Sequence, residues 1–257
     1  MASPLRVSRE REGRLLRLRL ARPKANVVDA EMIAALDAAL AEAAATAAPA
    51  LRGVLLDHEG PHFSFGASVQ EHLPESCAAM LRALHGLVMR MVAFPLPILV
   101  AIRGQCLGGG LEVAAAGHLL FAAPDARMGQ PEIQLGVFAP AASCLLPERV
   151  GPGAADDLLL SGRSIDGREA HRMGLVQAVA DDPEAAALAW FDEHLAARSA
   201  SSLRLAVEAS RRDLVERVGK KLAAVEELYL SRLMATHDAV EGLRAFLEKR
   251  PPRWEDR

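Results

Sequence analysis

Aromatic side chains are scarce in this chain of 257 residues: seven Phe, two Trp and one Tyr. The core must therefore be built from Ala, Leu and Val, which favours helices packed closely through small side chains. Cysteine is scarcer still. Cys77, Cys106 and Cys144 are odd in number, far apart and without paired metal-ligand spacing. That argues against a disulfide framework and against a metal site, and it fits a reducing compartment. No apolar stretch reaches the ~18 residues of a membrane span. The charged segment from Met1 to Arg11 lacks the apolar centre of a signal peptide. The expectation is a cytoplasmic protein with no membrane partner. Long Lys/Arg blocks are missing too, and the formal net charge is −3, so nucleic acid is not an expected partner. No Gly-x-Ser-x-Gly elbow is present, which leaves a serine-hydrolase reading without an anchor.

What remains is an ordinary globular composition, 51% hydrophobic and 25% charged. The length suits one large domain, or a domain with a small appendage. Leu15 to Leu20 alternates Leu and Arg, the period of a half-exposed strand. Asp29 is placed to cap an Ala-rich helix running to about Ala45. The alanine tract Ala41 to Ala48 reads as the end of that helix. Leu51 to Leu56 and Ile98 to Ile102 read as buried strands, with a helix from Cys77 to Ala93 between them. A short helix, Gly109 to Ala116, and a strand, His118 to Ala123, follow. Strand, turn, helix, strand at this cadence is an α/β pattern. From about Gly153 the chain turns mostly helical. Three helical stretches, Ser201 to Val218, Lys220 to Met234 and His237 to Glu248, close it. A boundary near Ala197 divides a core, residues 1–197, from a helical region, 198–257, too small to hold a full core alone.

Two glutamates occupy unusual settings. Glu112 follows Gly108-Gly109-Gly110, between a buried strand and an apolar helix. Three glycines there bring backbone close to a ligand and turn free N–H groups outward, suited to an anion or a developing oxyanion. The turn lacks the Lys-Ser/Thr of a phosphate loop, and Val113 breaks the dinucleotide spacing. Its bland alternative is a tight turn without a ligand. For Glu112 the alternative is a solvated surface residue, but its helix offers no polar face. Desolvation there would raise the carboxyl pKa towards neutrality. Glu132, in Met128-Gly129-Gln130-Pro131-Glu132-Ile133, has a loop or capping residue as its alternative. The loop Phe63-Ser64-Phe65-Gly66-Ala67-Ser68 follows a strand as the glycine turn does. Two such loops can each give one N–H to a single carbonyl oxygen. His58 and His62 read as solvated loop histidines, and Cys106 and Cys144 as small core residues.

Phe63-Ser64-Phe65-Gly66-Ala67, the run from Gly104 to Glu112, and Gly129-Gln130-Pro131-Glu132-Ile133 together resemble the crotonase (enoyl-CoA hydratase/isomerase) superfamily. The likeness runs from Arg22-Pro23-Lys24-Ala25-Asn26 to Phe246-Leu247-Glu248-Lys249-Arg250. It implies an α/β spiral of ββα turns and a C-terminal helical region that trimerises, commonly into a dimer of trimers. It implies an acyl-CoA substrate and no separate cofactor, CoA being part of the substrate. The thioester oxygen would sit between the N–H groups of Ala67 and Gly109. Glu112 would activate water and Glu132 would protonate carbon. Arg22, Lys24, Ala25, Ser64 and Phe65 match segments that cradle CoA. Lys249 would pair with a CoA phosphate across a subunit boundary, or else is a solvated lysine.

Two departures from the family pattern stand out. Ser68 occupies a position that is Asp in ordinary hydratases. Pro140 falls where they have a glycine whose N–H helps to hold the water, and proline has none. Phe138 and the small residues Ala139 to Ser143 would line a compact, flat pocket. These variant stretches imply a hydratase for a cyclic conjugated thioester. The alternatives are a straight-chain enoyl-CoA hydratase and a non-catalytic oligomeric scaffold.

Overall fold

The computed structural model describes residues 3–45 and 50–257. The chain begins with β1 (Leu5–Glu10), β2 (Leu15–Leu20), α1 (Ala30–Ala45) and β3 (Gly53–His58). A 3₁₀ turn (Val69–His72), α2 (Cys77–Val92), β4 (Ile98–Ile102), β5 (Gln105–Leu107) and α3 (Gly109–Ala116) come next. Then follow β6 (Leu119–Ala122), β7 (Arg127–Gly129), a second 3₁₀ turn (Pro131–Leu135), α4 (Pro140–Val150) and α5 (Pro152–Ser161). β8 (Ser164–Ile165), α6 (Gly167–Arg172), β9 (Ala178–Val179), α7 (Pro183–His194), α8 (Ala200–Ser231) and α9 (His237–Leu247) complete it. The part of the alanine tract beyond Ala45 that was expected to end the first helix, residues 46–48, lies outside the described residues.

The main sheet has six strands in the order β1-β2-β3-β4-β6-β9. β1 pairs antiparallel with β2, and every later neighbour is parallel. A smaller sheet joins β5 to β7 in parallel and β7 to β8 antiparallel. β4, at the centre, is buried at every position, as a parallel strand covered on both faces should be. In β2 the alternation resolves into two faces. Leu16, Leu18 and Leu20 enter the main core. Arg17 and Arg19 point the other way and grip the buried Asp57 of β3, with N–O distances of 2.6 and 2.9 Å. Glu184 of α7 pairs with both arginines from above.

Several expectations are corrected. The N-terminal stretch read only as charged contains the edge strand β1. The two helices expected to divide near Gly219 are one helix of 32 residues. Gly219 does not break it because tertiary contact overrides propensity. A Cβ at Gly219 would stand 3.2 Å from the Met89 methyl of α2, so the glycine sits where the two helices approach. His58 is the last residue of β3 rather than a solvated loop residue, and burial pushes its imidazole down to about 4. His62 is half-buried and ties the loop to β5, accepting from the Gln105 N–H at 3.2 Å.

Cys106 and Cys144 are buried core residues, as read. α8 lies against α2 and α4, and its Val218, Leu222 and Tyr229 belong to the main core. Among the described residues, no helix is long and apolar enough to cross a membrane.

Candidate active site

The loop after β3 and the glycine turn after β5 lie side by side. Phe63 N–H donates to Arg103 O at 3.0 Å, Ser64 N–H to Gln105 O at 2.9 Å, and Leu107 N–H to Ser64 O at 3.0 Å. The loop doubles back at Gly66, whose N–H is held by Ser64 Oγ at 3.1 Å. Gly109 then meets Ala67 at close range: a Cβ on Gly109 would stand 3.0 Å from the Ala67 nitrogen. Only glycine permits that approach. Gly109 is the first residue of α3, so its N–H has no partner in a preceding helical turn. The Ala67 N–H likewise meets no acceptor among the described residues. Two donors from two loops thus stand together.

Glu112 sits in the first turn of α3 and is 3% exposed. Its Oε1 accepts a hydrogen bond of 2.8 Å from the Ala142 N–H. Pro140 is the first residue of α4, so the N-terminus of that helix is aimed at the carboxylate. Burial raises the Glu112 pKa; the Ala142 N–H, the charge of His85 and the Ala141 N–H oppose the rise. Glu132 lies in the second 3₁₀ turn, its Oε1 over Gly108, where a Cβ would come within 2.3 Å of it. The φ of +49° at Gly108 already favours glycine. Glu132 Oε2 is buried without a hydrogen-bond partner among the described residues. Burial and the charge of Glu112 push Glu132 up to about 8.

A cavity of about 420 Å³ opens over this arrangement. Phe65, Ala67, Gly108 and Glu132 line it together with Leu243 and Phe246 of α9. Glu112 is buried and is not among the lining residues.

The other predicted site residues are placed unequally. Ser64 is fully buried and acts as a staple between the loops. Ala25 holds the first loop, accepting from Phe65 N–H at 2.9 Å. Ser68 precedes the first 3₁₀ turn and its carbonyl accepts from His72 Nδ1 at 2.8 Å. The Arg22 guanidinium is engaged by Asp29, and Lys24 is exposed. Lys249 is exposed three residues beyond Phe246. None of Arg22, Lys24 and Lys249 lines the cavity. Phe138 does not line it either. It packs edge-on against Tyr229, with ring centroids 5.1 Å apart. Ala139 caps α4 and residues 140–143 form its first turn, and none of them lines the cavity.

Residues 10–257 match the family model for enoyl-CoA hydratase/isomerase. The chain belongs to the enoyl-CoA hydratase/isomerase family. It is similar to a cyclohexa-1,5-dienecarbonyl-CoA hydratase of Thauera aromatica, 71% identical over 256 residues, spanning 100% of this chain and 98% of that protein. A probable enoyl-CoA hydratase of Bacillus subtilis (strain 168) is 34% identical over 242 residues, spanning 90% of this chain and 92% of its own. Among solved structures, an enoyl-CoA hydratase/isomerase from Pseudoalteromonas atlantica T6c superposes with a TM-score of 0.85 at 30% identity, covering 98% of this chain and 99% of that one.

This enoyl-CoA hydratase/isomerase family member also holds polar groups near the glutamates that the sequence reading missed. His85 of α2 is 5% exposed, and its Nδ1 lies 2.5 Å from Glu226 Oε2 of α8. Tyr229, one turn further along α8, is fully buried. Their signal was a polar residue at a core position of an amphipathic helix: His85 among Leu81, Leu84 and Val88, Tyr229 one helical repeat after Leu222.

Proposed function

We propose that this enzyme is a hydro-lyase. It adds water to cyclohexa-1,5-diene-1-carbonyl-CoA to give 6-hydroxycyclohex-1-ene-1-carbonyl-CoA, a step of anaerobic benzoyl-CoA degradation. The observation that carries the reading is the pair of carboxylates with different surroundings beside two free backbone donors. Glu112 is held by helix N–H groups, which favour its ionised form, whereas Glu132 keeps its proton up to about pH 8. Glu112 is the base and Glu132 the acid.

The electron flow follows from the substrate. Water oxygen bonds to the ring carbon β to the thioester as Glu112 takes one of its protons. The displaced electron pair moves onto the thioester oxygen, where the Ala67 and Gly109 N–H groups stabilise it. Collapse of that dienolate takes the Glu132 proton at the far end of the diene, so one double bond stays conjugated with the thioester. The net change is one H and one OH added to the diene. Afterwards Glu112 carries a proton and Glu132 does not; transfer between the coupled pair restores the resting state.

In this reading the CoA arm passes Phe65, Lys249 pairs with a CoA phosphate across a subunit boundary, and residues 198–257 form the trimerisation region beside a 1–197 core. The test is a comparison of kcat/KM for the cyclic dienoyl-CoA and for crotonyl-CoA. Preference for crotonyl-CoA overturns the substrate. Retained hydration by the double variant Glu112→Gln, Glu132→Gln overturns the mechanism.

A further inference from the structure

The mechanism above leaves one buried hydroxyl unused. Tyr229, the one tyrosine of the chain, lies on α8 at 0% exposure. Its ring is fixed edge-on against Phe138, at an interplanar angle of 74°. Its hydroxyl has no hydrogen-bond partner among the described residues. A buried phenol normally finds one, because leaving it unpaired forfeits its hydration without replacement. Glu132 Oε2 is a second buried oxygen without a partner among the described residues. Burial, then the charges of Cys77, Glu132 and Glu112, hold the phenol pKa far above its usual value, which places both carboxylates within electrostatic reach of it.

The donors around the water position narrow the choice. Pro140 has no N–H to offer. The Ala142 N–H, next in that helix turn, donates to Glu112 Oε1. The Ala141 N–H is turned to the same carboxylate. The start of α4 therefore steers Glu112 and leaves the attacking water to be held from elsewhere. A bound water needs two to four polar partners. His85 Nε2, the Gln130 amide and the Tyr229 hydroxyl are buried polar groups without a partner among the described residues, and of these the Tyr229 ring packs on Phe138, two residues before Pro140, with both glutamates in electrostatic reach of its hydroxyl.

We propose that the Tyr229 hydroxyl binds the oxygen that is added to the substrate, first as water and then as the product hydroxyl, between Glu112 and Glu132. The inference rests on the hydratase reading of the site. A phenol both donates and accepts, so it grips that oxygen before and after proton transfer. It orients the water and gives up no proton of its own.

Tyr229→Phe removes one oxygen and keeps the ring against Phe138. With the cyclic dienoyl-CoA, kcat falls at least about 10-fold while KM changes little. Affinity for the hydroxylated product weakens about 3- to 10-fold, the worth of one hydrogen bond. Affinity for cyclohexanecarbonyl-CoA, which has no hydroxyl, stays level, and Tm is unchanged or higher. A kcat within about twofold of wild type overturns the inference, as does equal weakening of both ligands, which a packing role would give. Wild-type enzyme inactive on the cyclic thioester overturns the functional reading and this inference with it. Active wild type with an equally active Phe variant overturns the inference alone.

Discussion

At the scale of single residues, the proposed division into acid and base rests on two like side chains in unlike surroundings. Both glutamates are desolvated, which raises both pKa values, but only Glu112 has helix N–H groups and a nearby histidine charge to favour its anion. Glu132 has the negative neighbour and no compensating donor from another residue. The acid must hold its proton, so kcat for hydration declines as pH rises through about 8, the value to which Glu132 is pushed. A pH–rate profile flat from pH 7 to 10 contradicts this. A stability consequence follows from the same shift. The folded state prefers protonated Glu132, a preference fully present below the ordinary value of 4.5 and lost as pH climbs towards 8. Glu132→Gln cannot titrate. Its Tm therefore gains on wild type between pH 5 and pH 8, by on the order of 5 °C. Calorimetry showing a constant gap across that range removes the shift from the account.

At the scale of elements, the proposed chemistry depends on two loops, one after β3 of the main sheet and one after β5 of the smaller sheet, that meet at a glycine. Gly109→Ala places a methyl 2.8 Å from the Ala67 Cβ and 3.0 Å from its nitrogen, with backbone on the far side that cannot yield cheaply. The loops separate and the paired donors lose their common focus. The expected loss is about 10²- to 10³-fold in kcat with the fold retained; turnover near wild type, measured with circular dichroism as the control, excludes the paired-donor role. These loops were legible in the sequence because their glycines and flanking apolar runs are local signals. The contact that anchors Glu112 was not. Its partner, Ala142, is 30 residues away and donates through its backbone, which no side chain advertises. Pro140 was read as a lost donor, and its place at the start of a helix, where proline is favoured, went unread. β5 and β7 have three residues each, too few for any periodicity to register. Gly219 suggested a helix break that packing against Met89 overrides.

At the scale of the whole molecule, part of the cavity wall comes from α9, and α9 is held by the chain that follows it. The Arg257 carbonyl accepts from the His237 N–H at 2.7 Å. The Asp238 carboxylate accepts from the Glu255 and Asp256 N–H groups, each at 2.8 Å. Glu241 and Arg250 form a bidentate pair at 2.6 and 2.8 Å. Trp254 is the apolar centre of this clasp. Its ring lies where a Cβ on Gly242 of α9 would be 2.8 Å away and one on Gly136, just past the Glu132 turn, 3.0 Å away. Gly242 also meets the turn directly, its Cβ position lying nearer still to the Leu135 carbonyl, and the indole packs beside that contact between the helix carrying Leu243 and Phe246 and the turn carrying Glu132. It touches neither glutamate, so it governs the width of the binding space more than the chemistry. Trp254→Ala should raise KM for the CoA thioester about 5- to 10-fold, by loosening the wall that receives it, and leave kcat within about twofold. Because the ring is 45% exposed, the packing lost is partial, and Tm should fall by only a few degrees. Steady-state kinetics with the parameters resolved decide the matter: a fall in kcat at unchanged KM would mean that the clasp positions Glu132 itself, and the division between wall and chemistry drawn here would not stand.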